Sequence, residues 1–455
     1  MDGLRNRRDF LRLAAGAAAV AATGAACGSG SNKPNAAKAK AGAAKEARTL
    51  RIAQFSHFVP AYDPWFDDEY ARRWGDEHDI EVIVDHISGP DVQTRADAEA
   101  AGQRGHDLFA FVAPAAALED EVIDHREIVE EIEAKAGKMT PAVERGVRNR
   151  KTGKYFAVPD FWGAYPVNYR VDLWDAVEPG LEPRTWDDVL RAGPKLKAAG
   201  APLGAGISPG IDGTLNALTI LFAYGASVQD EEGNVILDRP ATVEAVKMAT
   251  AIFRAGMTEE VLSWDDASDN RFLASGRGSL TLDPVSAIRT VEKQDPDLAA
   301  KIALRPPPAG SVAGLGPYLG PQSYVIWKFA RNPEAAKRFL VDLAVDYREA
   351  FLRSEFYNMP AFPGSVPDLA GIVAKDAFSQ PPGKYTVLAD ATTWSTNLGH
   401  PGDTNAAVAE VFNEFIVPKM FVAAARGEMS AGEAATAAQA QITPIFDKWR
   451  ERGKV

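Results

Sequence analysis

Strand-like and helix-like segments alternate along this chain from about residue 49, and that alternation limits the folds open to it. The stretch from Thr49 to Phe55 alternates apolar and polar residues, which is typical of a strand. A helix-like stretch over about 64–77 follows, and strand-like runs cover 80–84 and 107–112. This strand–helix–strand order predicts an α/β layer fold with parallel strands.

Several helix ends further along the chain can be placed from capping residues. Thr185 and Asp188 have the spacing of a capping box, in which each side chain bonds the main chain of the other. Asn332 precedes a proline, which predicts an N-cap followed by the first helical residue. A helix over 242–255 is expected to end at Gly256, because glycine favours the C-terminal cap.

Composition excludes several classes of protein. The 455 residues are 46% hydrophobic, which is enough apolar material for a large core. The formal net charge of −12 argues against a nucleic-acid partner. One cysteine cannot form an internal disulfide or a Cys-based zinc site. The most apolar internal run, Leu215 to Tyr224, is shorter than the ~20 residues that span a bilayer, so we expect a buried core helix there.

The N-terminal segment, residues 1–27, resembles an export signal. Arg7 and Arg8 are followed by Phe and Leu, as in twin-arginine signals, and an Ala-rich apolar run leads to Cys27. The sequence before Cys27 is similar to a lipobox, which predicts that this cysteine is lipid-modified and anchors the exported chain to the outer face of the cytoplasmic membrane. Residues 28–48 lack large apolar side chains and are expected to form a flexible tether. Removing residues 1–26 takes away four Arg and two Asp, so the mature net charge is −14.

The sequence offers no set of residues that combines a nucleophile with a base. Residues 206–210 match the G-x-S-x-G pattern, but Pro209 follows the serine and has no N–H for an oxyanion. The six histidines show no metal-ligand spacing, and each is expected at the surface or in a loop. No nucleotide-binding motif is present. We therefore expect no enzyme activity and no cofactor or metal.

Six short motifs occur in a characteristic order. They are GKYFAVP at 153–159, VNYRVDLW at 167–174, PRTWDD at 183–188, FLASGRGSL at 272–280, NPEAAKRFL at 332–340 and NMPA at 358–361. Together they resemble the extracellular solute-binding proteins of bacterial ABC importers, in the carbohydrate group that includes maltose-binding protein. The resemblance runs from about residue 49 to 449. Ala157 departs from it, since the family usually has glycine there.

The resemblance implies an α/β, two-lobe periplasmic-binding-protein fold of the class II type, with the solute held in a cleft between lobes joined by crossover segments. We expect the first lobe to comprise 49–159 and about 299–330, and the second about 160–298 and 331–455. The resemblance also implies that the chain is a monomer that delivers a carbohydrate to the membrane subunits of an ABC permease.

Sugars present apolar ring faces and a rim of hydroxyls, so we looked for aromatic residues beside short polar ones in loops after strands. For Asp283 the resemblance adds that the family often places Asn or Asp at this point. The candidate ligand residues are His57, Tyr62, Trp65, Trp162, Trp264, Asp265, Asp266, Asn270, Asp283, Tyr324, Asn358 and Trp394.

Two other functions remain open on the sequence. The acidic mature chain and the acids near Trp264 would also suit a polyamine or another cationic solute, because aromatic faces and carboxylates bind ammonium groups. Paired carboxylates, such as Asp265 with Asp266, would suit a secreted glycan hydrolase.

Overall fold

The computed structural model describes residues 48–112, 114–377 and 379–455. The expected leader over 1–27, including Cys27, lies outside the described residues, as does nearly all of the expected tether over 28–48. No helix formed by the described residues is both long enough and apolar enough to cross a bilayer.

The strands are short and distributed over the whole described chain. They are β1 (Thr49–Phe55), β2 (Glu81–Ile87), β3 (Leu108–Phe111), β4 (Val158–Gly163), β5 (Val167–Arg170), β6 (Leu280–Leu282), β7 (Ile302–Arg305), β8 (Gly316–Pro317), β9 (Leu319–Ile326), β10 (Met359–Pro360) and β11 (Ser395–Thr396). The first three are the strands that hydrophobic periodicity predicts, which confirms that part of the sequence interpretation.

Helices fill most of the intervening chain. They are α1 (Tyr62–Trp65), α2 (Arg72–His78), α3 (Val92–Gly102), α4 (Arg126–Ala136), α5 (Pro141–Val147), α6 (Val171–Val177), α7 (Trp186–Ala198), α8 (Ile211–Ala223), α9 (Pro240–Gly256), α10 (Ser268–Ala274), α11 (Ser286–Gln294), α12 (Pro296–Ala299), α13 (Pro333–Val345), α14 (Arg348–Arg353), α15 (Leu369–Ala374), α16 (Ala406–Asn413), α17 (Ile416–Arg426) and α18 (Ala431–Glu451). A π-helical stretch, Phe66–Ala71, joins α1 to α2. Short 3₁₀ helices cover Gly89–Asp91, Ala115–Leu118, Glu259–Ser263, Pro363–Ser365 and Lys384–Thr393.

The main sheet has six strands in the order β10-β4-β9-β3-β1-β2. β1 runs parallel to β2 and β3, as the strand–helix–strand order predicts. β9 enters late in the chain and pairs antiparallel with β3 and β4, and β10 pairs antiparallel with β4. The expectation of a parallel sheet is therefore wrong beyond the first three strands, because local sequence does not reveal where a distant strand inserts.

A second, three-stranded sheet has the order β6-β5-β7 and is antiparallel throughout. The first lobe is built on the six-stranded sheet and the second lobe on this one, which gives the two-lobe α/β fold that the sequence predicts. β8 and β11 form a separate parallel pair.

The expected lobe boundaries do not follow this strand pairing. β7 was expected in the first lobe, but it pairs with β5 of the second. α13 was expected in the second lobe, but it packs against α4, β4 and β9 of the first. Periodicity shows that these segments are strands and helices, whereas their partners are fixed only by tertiary packing.

The helix ends test the capping predictions. Thr185 forms a full capping box with Asp188, and the side chain of Asn332 accepts a hydrogen bond from the Ala335 N–H. Gly256 is the last residue of α9, and Met257 after it is extended. A Cβ on Gly256 would lie 2.9 Å from the Cα of Gly193 in α7, so this glycine allows two helices to touch rather than capping one.

The apolar run at 215–224 is a core helix, as expected. Every residue of α8 from Asp212 to Ala223 is buried. Gly210 is the N-cap of α8, and Asp212 in its first turn is buried.

Candidate functional site

Four rings and one amide pack together near the end of β1, the start of α1 and the strand β4. We call His57, Tyr62, Phe161, Tyr357 and Asn358 the His57 cluster. The His57 ring stacks on Tyr62 at a centroid distance of 4.3 Å and lies 5.0 Å from the Tyr357 ring. His57 and Tyr357 remain 8% and 3% exposed, so the cluster is nearly closed to solvent.

Hydrogen bonds fix the protonation of His57. Its Nδ1 accepts from the Val59 N–H at 2.9 Å, so the proton lies on Nε2, which donates to Asn358 Oδ1 at 2.9 Å. Burial lowers the pKa of His57 to about 4. The cluster is therefore uncharged at neutral pH.

Asp160 lies next to this cluster and is 3% exposed. It is the extra residue of a bulge in β4, between the paired residues Pro159 and Phe161. Neither carboxylate oxygen has a hydrogen-bond partner among the described residues, and burial raises the pKa to about 8. Asp160 is thus protonated over much of the neutral range.

Three further carboxylates form a second group, which we call the acid cluster: Asp212, Asp269 and Asp283. One oxygen of each lies within 4.8 Å of the others, and the three residues are 8%, 2% and 3% exposed. They come from the start of α8, from α10 and from the end of β6. Two of the acids come from consecutive elements, α10 and β6, and the packing of α8, which lies well before them in the chain, adds the third.

The neighbours of the acid cluster are neutral donors. Tyr165 Oη donates to Asp212 Oδ1 at 3.0 Å. With its amide oriented to satisfy both ends, Asn270 Nδ2 donates to Asp283 Oδ2 at 2.9 Å.

Burial and mutual repulsion control the charge state of the acid cluster. Burial raises the pKa of Asp269 to about 7, and burial with repulsion raises the pKa of Asp212 and of Asp283. Asp266, which is half-buried, accepts from the Asp212 N–H at 3.3 Å and has a pKa raised by burial. The group cannot carry its full negative charge without a compensating proton or cation.

Tyr357 connects the two groups. Its ring belongs to the His57 cluster, while the charges of Asp283 and Asp212, after burial, raise the pKa of its hydroxyl. The charges of the acid cluster therefore act on a ring of the His57 cluster.

The structure brings together half of the candidate ligand residues, in two places. His57, Tyr62 and Asn358 form the first group, and Asn270 and Asp283 lie in or beside the acid cluster with Asp266. Trp264 is half-buried, lies 5.0 Å from the Phe272 ring, and accepts through its carbonyl from Ser208 Oγ at 2.5 Å.

The remaining candidates have other surroundings. Trp65 packs on Tyr62 and Tyr70 in the core. Tyr324 Oη, on β9, donates to Gln54 Oε1, on β1, at 2.7 Å. The exposed Asp265 pairs with Arg271 at 2.6 Å.

The last two tryptophans lie by the short strands. Trp162 Nε1 donates to the Pro360 carbonyl at 3.2 Å, across the β4–β10 pair. Trp394 precedes β11, where its carbonyl accepts from the Gly316 N–H.

Sequence reasoning missed Tyr357, Asp212 and Asp269. Asp212 lies two residues after the G-x-S-x-G string, and Asp269 lies in the acidic run that begins at Asp265. Tyr357 directly precedes Asn358, which is among the candidate ligand residues. Their chemistry is visible in the sequence, but their proximity is not, because it depends on contacts between segments about 60 to 150 residues apart.

Two expectations about catalytic groups can be checked. The Ser208 hydroxyl is engaged by a main-chain carbonyl, in agreement with a loop role for the G-x-S-x-G string. His106 and His125 lie in loops, as expected, but both are buried, at 4% and 0% exposed. His125 bonds the main chain of Tyr155 and Ile326, and so it serves as a core hydrogen-bonding residue.

A cavity of about 880 Å³ lies apart from these groups, beside α11, α14 and α15. Its lining includes a buried ion network in which Arg289 pairs with Glu292 and Asp376 at 2.8 and 2.9 Å. Lys384 Nζ lies 3.6 Å from Glu292 Oε1, so two cations and two acids balance one another there, in contrast to the acid cluster.

Comparisons with known proteins agree with this architecture. Residues 59–354 match the family described as bacterial extracellular solute-binding protein. An arabinooligosaccharide-binding protein of Bacillus subtilis is 25% identical over 197 residues, which is 42% of this chain and 44% of that protein. The chain spans about half the length of the curated relatives it matches.

Solved structures share the fold. A maltose-bound Thermotoga maritima protein, MalE3, has a TM-score of 0.73 at 18% identity, covering 87% of this chain and 99% of that one. A sugar transporter protein from Arthrobacter chlorophenolicus with bound laminaribiose has a TM-score of 0.74 at 18% identity, with the same coverage. The family match extends over more than half of the sequence, and the chain therefore belongs to the bacterial extracellular solute-binding protein family.

Proposed function

We propose that this chain captures a carbohydrate outside the cytoplasmic membrane and delivers it to an ABC import permease. The observation that carries the proposal is the packing of the His57, Tyr62 and Tyr357 rings with the Asn358 amide, together with an acid cluster whose charges act on the Tyr357 hydroxyl. Flat rings suit the apolar faces of a sugar, and carboxylates and amides suit its hydroxyls. The matched proteins are described as an arabinooligosaccharide-binding protein, a maltose-bound protein and a sugar transporter with bound laminaribiose, which supports this solute class.

The site we infer lies between the lobes and uses fewer residues than the sequence suggested. Tyr357, His57 and Asn358 would line it from the first lobe, and Trp264 and Asp266 from the second. Trp65, Trp162, Tyr324 and Trp394 would act by packing beneath or beside it, since their described contacts are with core rings, with Gln54 and with the main chain of the short strands.

Solute titration tests the proposal. Mono- and oligosaccharides should raise the melting temperature and change tryptophan fluorescence, because a ligand that binds only the folded chain stabilises it. Trp264→Phe should weaken the response about tenfold or more, whereas Trp449→Phe, a matched change in the C-terminal helix, should leave it intact. A broad sugar library without any response would reject the carbohydrate assignment.

A cationic solute, such as a polyamine, is a second candidate, and the acid cluster is the observation that favours it. Ammonium groups would compensate buried carboxylates and contact the Tyr357 ring. Putrescine binding that persists in excess sugar would support this candidate over a neutral carbohydrate. The matched relatives are binding proteins, and no step of a hydrolase mechanism is proposed.

We further propose that the chain is an exported lipoprotein held by Cys27, with residues 28–48 as its tether, and that it works as a monomer. The sequence pattern around Arg7, Arg8 and Cys27 supports this. Mass spectrometry of the mature N-terminus should find a lipid-modified Cys27. A mature chain that begins elsewhere, or an unmodified Cys27, would refute the anchor.

A further inference from the structure

The turn between α14 and β10 has an unusual main chain. Glu355 and Phe356 are consecutive and neither is glycine, yet their φ angles are 56° and 74°. This left-handed region crowds the Cβ of every residue other than glycine, and a bulky side chain such as phenylalanine is rare there. Such a conformation persists only where the surrounding structure holds it.

The turn leads directly into the candidate site. Tyr357 and Asn358 follow Phe356, and both belong to the His57 cluster. The Tyr357 N–H donates to the Ser354 carbonyl at 3.0 Å, and the Asn358 N–H donates to Ser354 Oγ at 3.1 Å. The directions of the Tyr357 ring and the Asn358 amide therefore depend on the conformation of the two residues before them.

Arg289, on α11 of the second lobe, contacts both residues of this turn. Its side chain is buried, and its Nε donates to the Glu355 carbonyl at 3.2 Å. The same guanidinium lies over the Phe356 ring, 4.9 Å from the ring centroid. A hydrogen bond to the main chain and a ring contact thus hold the turn from one side chain.

The guanidinium is itself held in place by its other neighbours. It lies 3.9 Å from the centroid of the Tyr385 ring, and it pairs with Glu292 and Asp376 at 2.8 and 2.9 Å. Tyr385 Oη in turn donates to Glu292 Oε2 at 2.9 Å. A planar cation that is stacked on a ring and bound by two carboxylates has little freedom, so it can fix the position of a carbonyl.

The cavity of about 880 Å³ leaves the turn room to relax if it is released. Arg289, Glu355 and Phe356 all line this cavity. Lys293 lines it too, but its exposed ammonium pairs with the Glu355 carboxylate, at 2.6 Å. Because an exposed ion pair with a side chain constrains the main chain weakly, Arg289 is the residue that keeps the left-handed conformation.

We propose that Arg289 is a positioning residue for solute binding. It holds the turn in its left-handed conformation and so sets the directions of Tyr357 and Asn358 in the site. Arg289 acts through the main chain of the turn rather than by touching the solute. The inference rests on the proposed function, because it concerns how that same site is held.

The His57 Nε2–H reports on the turn without any solute, because it donates to Asn358. The chain has six histidines, so isotopic labelling of histidine nitrogen gives few NMR signals, and His57→Gln assigns the one from His57. The natural chain should show slow exchange of this proton and a His57 pKa of about 4.

Release of the turn should expose the His57 ring to water. In Arg289→Met the Nε2–H should exchange at least about tenfold faster, and the pKa of His57 should rise toward its ordinary value of 6.5. Arg289→Lys should act in the same direction, because lysine lacks the Nε donor and the planar face. It keeps a cation beside Glu292 and Asp376, and so it serves if Arg289→Met does not fold.

The matched control is Lys293→Met, which removes a cation one turn later on the same helix. It should keep the slow exchange and the low pKa of His57. Glu355→Gly tests the strain itself, because glycine adopts the left-handed conformation readily and keeps the carbonyl. Combined with Arg289→Lys, it should restore much of the slow exchange that Arg289→Lys loses.

Solute affinity is the second measurement. Maltose, laminaribiose and the sugar of largest thermal response in the library are titrated by tryptophan fluorescence. Arg289→Lys should weaken binding about tenfold, since a site that is no longer preorganised must be ordered by the solute. Lys293→Met should change the affinity by less than about twofold.

Three results would overturn the positioning role. One is an unchanged exchange rate and pKa of His57 in folded Arg289→Lys. Another is an equal change in Lys293→Met, which would assign the effect to charge on α11 rather than to the bond with the main chain. The third is no recovery on adding Glu355→Gly. A natural chain that binds no sugar would refute the proposed function, while the His57 signal would still decide whether Arg289 holds the turn.

Discussion

The His57 cluster contains Tyr357 and the acid cluster acts on it electrostatically, yet the two clusters are stabilised in opposite ways. In the His57 cluster, stacked rings and a directed hydrogen bond from His57 to Asn358 hold uncharged groups in place. In the acid cluster, three buried carboxylates repel one another and depend on protons, or on an added cation, to stay together. The difference teaches that the His57 cluster is held by contacts already made within it, whereas the acid cluster needs protons or a cation to offset the repulsion among its carboxylates.

Truncation of a ring in the His57 cluster should have the largest effect. Tyr62→Ala removes a fully buried side chain that contacts His57 and Trp65, and should lower the free energy of unfolding by about 3–5 kcal/mol. Denaturant titration measures this loss. Tyr62→Phe is the control and should change stability by less than about 1 kcal/mol, because it keeps the buried ring and its packing and removes only the hydroxyl. Equal losses in both variants would show that the hydroxyl, not the ring, stabilises the cluster.

Acid should weaken the His57 cluster through His57 itself. Its pKa is about 4 in the folded chain and 6.5 for an ordinary histidine, so the unfolded chain takes up the proton first as the pH falls. Between pH 7 and pH 4 the natural chain should lose up to about 3 kcal/mol more stability than His57→Gln.

The control for the acid titration is His78→Gln, which changes a partly exposed histidine. It should keep the pH dependence of the natural chain. Parallel stability curves for the natural chain and His57→Gln would contradict a buried, neutral His57.

The acid cluster should respond to pH with the opposite sign. Burial raises the pKa of Asp269 to about 7, so stability contributed by its protonated form is lost as the pH rises through that value. Asp269→Asn, measured without divalent ions, should therefore be more stable than the natural chain by about 1–2 kcal/mol at pH 8, and by less at pH 5. If Asp269→Asn were instead less stable than the natural chain at pH 8, the charged Asp269 carboxylate would have a stabilising partner even without divalent ions.

The smallest effect is expected just outside the acid cluster. Asp265→Asn removes an exposed ion pair with Arg271 and should cost about 0.2–1 kcal/mol, falling as salt is added. Urea melts at low and high ionic strength measure it. A loss as large as that of Tyr62→Ala would mean that the exposed and buried acids act as one network.

Local sequence was sufficient for the elements and for some of their ends. The first three strands, the capping box at Thr185, the N-cap at Asn332 and the core helix over 215–224 were all predicted correctly, because each depends on neighbouring residues. The order of motifs also identified the family and the two-lobe fold. The strands and helix ends could be predicted because periodicity and capping depend only on residues close together in the sequence.

Only the tertiary structure decided what those elements do together. The insertion of β9 between β3 and β4, the pairing of β7 with β5 and the contact of Gly193 with Gly256 depend on segments far apart in sequence. The same is true of the acid cluster, which α8, α10 and β6 assemble. The sequence thus determined an acidic chain with strands, helices and aromatic–carboxylate motifs of a solute-binding protein. Folding decided which acids are buried side by side, because burial and proximity, and hence charge state, arise only when distant segments pack.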